Sequence, residues 1–184
     1  MTRRSHSTPI VAAALALIAL GFIATATAAR AELTKRDGDA IAKTTKIFVA
    51  TVRKDGNQSR AAEVWFTTAA DGAVLIQTGP ATWKAKRIGR GSPAIVWIGA
   101  ADGPAFIGKA EITKDAGVVQ RILDDFSERY LMNRIGGVGP TRAKFDDGRV
   151  VAIKITPVRD LPDGFVSEPG KPAPKIDSDS TGAH

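Results

Sequence analysis

The stretch Lys46–Thr78, KIFVATVRKDGNQSRAAEVWFTTAADGAVLIQT, decides the fold. It holds three runs of strand formers, KIFVATVRK, SRAAEVWFTT and AVLIQT, and the first two end at Asp55-Gly56 and Asp71-Gly72. Asp-Gly between such runs signals a hairpin, because both residues tolerate the positive φ of a tight reversal. The pattern continues outward. AIVWIGA ends at Asp102-Gly103-Pro104, AFIGKAEITK at Asp115, and TRAKFDD and RVVAIKITPV flank Gly148 as a closing hairpin. Several short strands at this spacing predict a mainly β, antiparallel barrel or sandwich.

The runs also predict burial. Val151, Ile153 and Ile155 alternate with Ala152, Lys154 and Thr156, so that strand buries one side. IFVAT and AIVWI are nearly continuous, as expected of strands covered on both faces. Val119, Ile122, Leu123, Phe126 and Tyr130 recur at helical spacing and give one apolar face, with Arg121, Asp125 and Arg129 on the other. A weaker helix covers Leu33 to Thr45, interrupted by Asp37-Gly38. From Leu161 onward Pro, Gly, Ser, Asp and Lys dominate, which predicts a loose tail over 161–184.

The beginning of the chain carries a positive pair, Arg3-Arg4, an uncharged core from Ile10 to Ile23, and a small-x-small signal at Ala29-Arg30-Ala31. That is the grammar of a signal peptide over residues 1–31, predicting export to a periplasmic or extracellular location by a general or twin-arginine route. An uncleaved N-terminal membrane anchor is the alternative, since Ile10 to Ala29 is about long enough to span. After cleavage no stable membrane insertion is expected. From Glu32 the chain carries 23 cations against 19 acids, a net +4. It lacks a basic stripe with interleaved aromatics, so nucleic acid is not an expected partner. Residues 32–160 suit one domain with one core.

Chemistry is bounded by what is missing. Cysteine is absent, and the two histidines are His6 and His184. A Ser-His-Asp triad, a thiolate nucleophile and a His- or Cys-ligated metal cannot be built from the folded body, so no metal is expected.

Directly behind the third strand, Lys84, Lys86, Arg87 and Arg90 crowd into seven positions. A short helix starting near Thr82 would place Ala81, Ala85 and Ile88 on a narrow apolar arc, with Thr82 as N-cap. Its free N–H donors, the hydroxyls of Thr78 and Thr82 and a nearby lysine would suit an anion. Neither G-x-x-x-x-G-K-[ST] nor G-x-G-x-x-G occurs, so the turn is no nucleotide P-loop and no Rossmann turn. A solvated amphipathic helix remains the alternative.

Taken in order, ATVRKDG, VWF, LIQT, TWKAKRI, GKAEIT and FDDGRVVAIKITPVR resemble the split β-barrel family of pyridoxamine 5′-phosphate oxidases and deazaflavin (F420)-dependent reductases, over Leu33 to Arg159. The resemblance implies a six- to seven-stranded antiparallel split barrel with two or three flanking helices. It implies a homodimer binding FMN or F420 at its interface, with Gln77 and Thr78 at the phosphate-ribityl chain. Thr82 would supply a hydroxyl, Lys84 and Lys86 the cations, and Ala62 and Val64 backbone to the ring, with Trp65 near it or in the core. Glu63 stands where F420-binding members often have proline, and must point outward or pair with a cation such as Arg60. The implied function is hydride transfer to a small organic acceptor, with no catalytic residue assignable. A carrier or sensor for a flavin, haem-like or lipid-like molecule is the alternative.

Overall fold

In a computed structural model of the chain, residues 39–129 and 139–176 are described. Residues 1–38, where the signal peptide is expected, 130–138 with Tyr130, and 177–184 lie outside them. Seven strands form one antiparallel sheet: β1 Ile47–Thr51, β2 Ala62–Val64, β3 Thr67–Thr68, β4 Val74–Thr78, β5 Ala94–Ile98, β6 Ala105–Thr113 and β7 Val151–Asp160. Its order is β2-β1-β5-β6-β7-β4-β3. The two outermost strands are therefore neighbours in sequence, separated only by Trp65 and Phe66. A sheet whose first and last strands are joined by two residues must curl until its edges meet, which makes a split barrel.

Helix α1 spans Trp83–Ile88, α2 Ala116–Arg129 and α3 Arg142–Asp146, and residues 39–42 are also helical. The barrel interior is filled by Ile47, Val49, Phe66, Val74, Ile76, Val96, Phe106, Ile153 and Ile155, with Ile88 of α1 closing one end. The outer face of β4 and β7 is covered by α2, whose Val119, Ile122 and Phe126 bury against Leu75 and Ala152. Of the expected apolar helix face, Leu123 is half-buried. Ala152 lies on the side predicted to be wet, and α2 accounts for its burial.

Turn chemistry follows the Asp-Gly prediction, and among the described residues glycine alone takes the left-handed conformation. Between β3 and β4 Gly72 has φ 77°, its N–H donates to Ala69 O at 3.0 Å, and Ala69 N–H donates to Ala73 O at 2.9 Å. At Gly108 the constraint is space. The β6–β7 register shifts between Ile107 and Gly108, and a Cβ there would lie 2.8 Å from both Thr156 O and Ile155 Cγ2.

Two expectations are corrected. TRAKFDD is not a hairpin strand: α3 forms instead, and the Thr141 side chain caps it by accepting from Lys144 N. Both edges of β7 are already taken, by β4 and β6, so this segment finds no partner and its local helix propensity prevails. The predicted loose tail is also packed along residues 161–176. Leu161, Phe165, Ala173 and Ile176 cover Ala50, Ile95, Trp97 and Ile107 on the outer face of β5 and its neighbours. Phe165 stacks on Trp97 at 5.9 Å, and Trp97 Nε1–H donates to Phe165 O at 2.7 Å. Backbone bonds from Gly170 N to Gln58 O and from Ala173 N to Gly56 O fasten the rest. Composition undercounted a few well-placed apolar anchors.

Candidate functional site: a cationic pocket behind the fourth strand

The run LIQTGPATWKAKRI turns from β4 into α1 as its residues require. Thr82 Oγ1 accepts from Ala85 N at 3.2 Å and donates to Gly79 O at 2.8 Å, so it is the predicted N-cap. Thr78 Oγ1 stands 3.3 Å from it. Ala85 and Ile88 are buried; Ala81 precedes the helix and is exposed, so the arc is narrower than predicted. Buried alanine and isoleucine pin α1 to the barrel and thereby aim its other residues.

What they aim at is a pocket of about 370 Å³, lined by Val49, Thr51, Ser59, Arg60, Ala62, Val64, Thr78, Thr82, Trp83, Lys84 and Arg87. Five of the eight residues predicted from sequence meet there: Ala62, Val64, Thr78, Thr82 and Lys84. Gln77 does not line it; it sits half-buried in β4 opposite Ala152. Trp65 packs edge-on against Phe126 at 6.4 Å, under α2, and belongs to the core. Lys86 is exposed, its ammonium 5.2 Å from the Trp83 ring. The helix explains that placement: positions two apart point to different sides, whereas Lys84 and Arg87, three apart, share a face. That spacing is the signal that would have found Arg87.

Arg87 is held firmly. Its Nη1–H donates to Thr51 Oγ1 at 3.3 Å, and its guanidinium lies 5.5 Å from the Trp83 ring centre. Thr51 is buried and its backbone N–H donates to Ser59 Oγ at 2.9 Å, so the floor under Arg87 is fixed. Lys84 is half-buried, and desolvation lowers its ammonium to about 8. Burial chiefly, and then the nearness of Arg53 and Arg90, also lowers Arg87, with Asp55 opposing.

Among the described residues no carboxylate lies within ion-pair reach of Arg60, Lys84 or Arg87, and none lines the pocket. Glu63, on the opposite side of β2 from Ala62 and Val64, pairs with Lys46 at 3.3 Å rather than with Arg60. Three cations thus converge on one cavity without a counter-charge, two of them partly withdrawn from water. Such an arrangement is costly unless an anion completes it. A larger, more open groove of about 1070 Å³ runs between residues 55–57 and 172–176. It mixes Lys109 and Lys175 with Asp55 and brings no like set of groups to one point, so the smaller pocket is the stronger candidate.

No metal-binding cluster of His, Cys, Asp or Glu occurs among the described residues, and no helix there is long and apolar enough to cross a membrane.

Comparison with known proteins places the fold. A candidate pyridoxamine 5′-phosphate oxidase from Listeria innocua superposes with TM-score 0.52 at 17% identity, covering 70% of this chain and 96% of that one. A protein of unknown function from Agrobacterium tumefaciens gives TM-score 0.53 at 13% identity, covering 73% and 58%. The heme storage protein HutZ from Vibrio cholerae gives 0.50 at 12% identity, covering 68% and 89%. A search of curated protein sequences finds no match. The family model for pyridoxamine 5′-phosphate oxidase matches residues 33–161, and it does so across all seven strands and the pocket. The chain belongs to the pyridoxamine 5′-phosphate oxidase family.

Proposed function

We propose that this chain is an exported redox protein. It binds FMN or F420 non-covalently, works as a homodimer, and passes hydride to a small organic acceptor. The observation that carries the reading is the convergence of Arg60, Lys84 and Arg87, without a carboxylate, on the pocket beside Thr78 and Thr82. These residues fit a phosphate. Lys84 and Arg87 would hold it, Arg60 would close over it, and β2 at Ala62 and Val64 would lie along the ring. When bound, the cofactor supplies the hydride chemistry; the chain's part is binding, orientation and exclusion of water.

Magnitudes support a ring as well as an anion. Charge-assisted hydrogen bonds contribute about 1.5–3 kcal/mol each, so three cations supply about 4.5–9 kcal/mol, which the cost of immobilising the ligand brings below the roughly 8 kcal/mol of a micromolar complex. Burial of a flat apolar group supplies the remainder. Trp83 stands 68% exposed at the lip of the pocket, an aromatic that a ring or a second copy of the chain would cover.

The test is uptake of FMN and of F420 by the purified chain, read by visible absorption, together with its solution mass. Binding of either cofactor at one per protomer by a dimer is expected. A chain that takes up neither would end the reading. Export is checked separately by locating the protein after expression in a Gram-negative host. A binding protein without turnover is the second reading, favoured by a lining that offers no His, Cys, Tyr or carboxylate for proton transfer. Cofactor uptake without re-oxidation of the reduced complex by any acceptor would select it.

A further inference from the structure

The tail runs on past Leu161, where the family match ends, and it reaches the root of the ligand pocket. Among the described residues four polar side chains are buried, Thr51, Gln58, Ser59 and Thr67, and the first three form one connected set. Gln58 is 2% exposed, and the tail grips it three times. Its backbone N–H donates to Lys171 O at 2.8 Å, its carbonyl accepts from Gly170 N–H at 3.0 Å, and its Nε2–H donates to Pro172 O at 3.3 Å. Asn57 faces Pro172 as an antiparallel pair, flanked on the other side by Ala173 N–H donating to Gly56 O at 2.9 Å. The next residue, Ser59, belongs to the pocket wall. Its N–H donates to Thr51 O at 2.9 Å, and its Oγ accepts from Thr51 N–H at 2.9 Å. Thr51 Oγ1 in turn holds Arg87, and Arg60 follows Ser59 directly. No residue of the tail lines the pocket itself.

We propose that residues 170–173 are a positioning clamp for the ligand pocket: docked on Gln58 they set where Ser59 and Arg60 stand, and when they lift the pocket loosens. The inference rests on the ligand-binding reading of that pocket and names how its affinity is controlled. The clamp is built to open. Gln58 Oε1 is buried without a hydrogen-bond partner among the described residues, and burial of an unmet acceptor is unfavourable. Lifting the tail brings that oxygen back to water, which offsets part of the bonds lost. Gly170 takes φ 88° in the turn closed by Lys171 N–H on Glu168 O at 3.1 Å, a conformation that residues with a side chain rarely adopt. Coupling of this kind is reciprocal: a clamp that strengthens ligand binding must itself be strengthened by the ligand.

The test pairs titration of the purified chain with FMN and with F420 against amide exchange read residue by residue. Gly170→Pro removes the donor to Gln58 O and forbids the positive φ, so it releases the clamp without altering a pocket residue; thermal melts establish that the variant is folded. It should bind FMN or F420 about tenfold more weakly than the wild type does. Exchange should quicken at Thr51 and Ser59, whose N–H groups bond to each other's residue and not to the tail. In the wild type, added cofactor should slow exchange at Gly170, Lys171 and Ala173. Rescue is covalent. The chain has no cysteine, and the Asn57–Pro172 pair is of the narrow kind, with Cα atoms about 4.5 Å apart and so within disulfide reach. Asn57→Cys/Pro172→Cys added to Gly170→Pro should regain wild-type affinity when oxidised and lose it again on reduction. Unchanged affinity with the clamp released, exchange in the tail that ignores the cofactor, or a loss that the disulfide does not restore overturns the inference and leaves the cofactor reading standing. If the wild type binds neither cofactor, that reading falls and exchange at Thr51 and Ser59 judges the clamp alone: quickening on release keeps it, and no change overturns it.

Discussion

Lys84 should make ligand affinity depend steeply on pH. Its ammonium is half-buried without a carboxylate, and desolvation brings it from 10.5 to about 8. The free protein is therefore about nine-tenths protonated there at pH 7 and about one-tenth at pH 9. A bound phosphate restores the charged form, so binding above pH 8 requires proton uptake. Affinity should fall about tenfold from pH 7 to pH 9, a range over which a phosphate monoester keeps its full charge. The same shift bears on the fold. A lysine whose folded value lies below its unfolded value binds fewer protons when folded, so stability rises as pH climbs from about 8 to 10.5. Its size is on the order of 3 kcal/mol. Lys84→Met should accordingly raise the melting temperature at pH 7, lose that advantage above pH 10, and bind FMN or F420 weakly with a flat pH profile. Fluorescence titration and thermal melts at four pH values measure both. A wild-type affinity flat between pH 7 and 9, or a Met variant with the wild-type slope, would refute the placement of Lys84 at the ligand.

Three further outcomes follow from the geometry. Lys86→Ala should change cofactor affinity less than twofold, because Lys86 does not line the pocket, whereas Arg87→Ala should cost about tenfold; parallel titrations decide. Gly108→Ala should destabilise by about 1–3 kcal/mol in a urea melt, since the new methyl meets Thr156 O and Ile155 Cγ2 at 2.8 Å. Trp97→Phe removes the bond to Phe165 O and should cost about 1 kcal/mol. Faster proteolysis or amide exchange confined to residues 161–176 would register it.

Much of this was legible in the residues. Alternation and Asp-Gly pairs reveal strands because a half-buried sheet and a tight turn each demand particular side chains locally. Thr82 was readable as a cap for the same reason. What failed was non-local. TRAKFDD looks like a strand until the neighbours of β7 are known. The tail looks soluble until Trp97 offers Phe165 a surface. At the site, the sequence pointed to the lysine two positions along, whereas the pocket is lined by the arginine three along. Arg60 carried no signal of its own: it is separated from Lys84 by 24 residues, and only the curl of the sheet brings them to one cavity.

The family match stops at residue 161, yet the folded body does not. A truncation designed to the homology boundary would strip the cover from Trp97, Ile95 and Ile107 and lay bare an oily patch on strands that otherwise meet no water. Such a fragment would be expected to cluster on concentration, and expression work should keep every residue through Ile176.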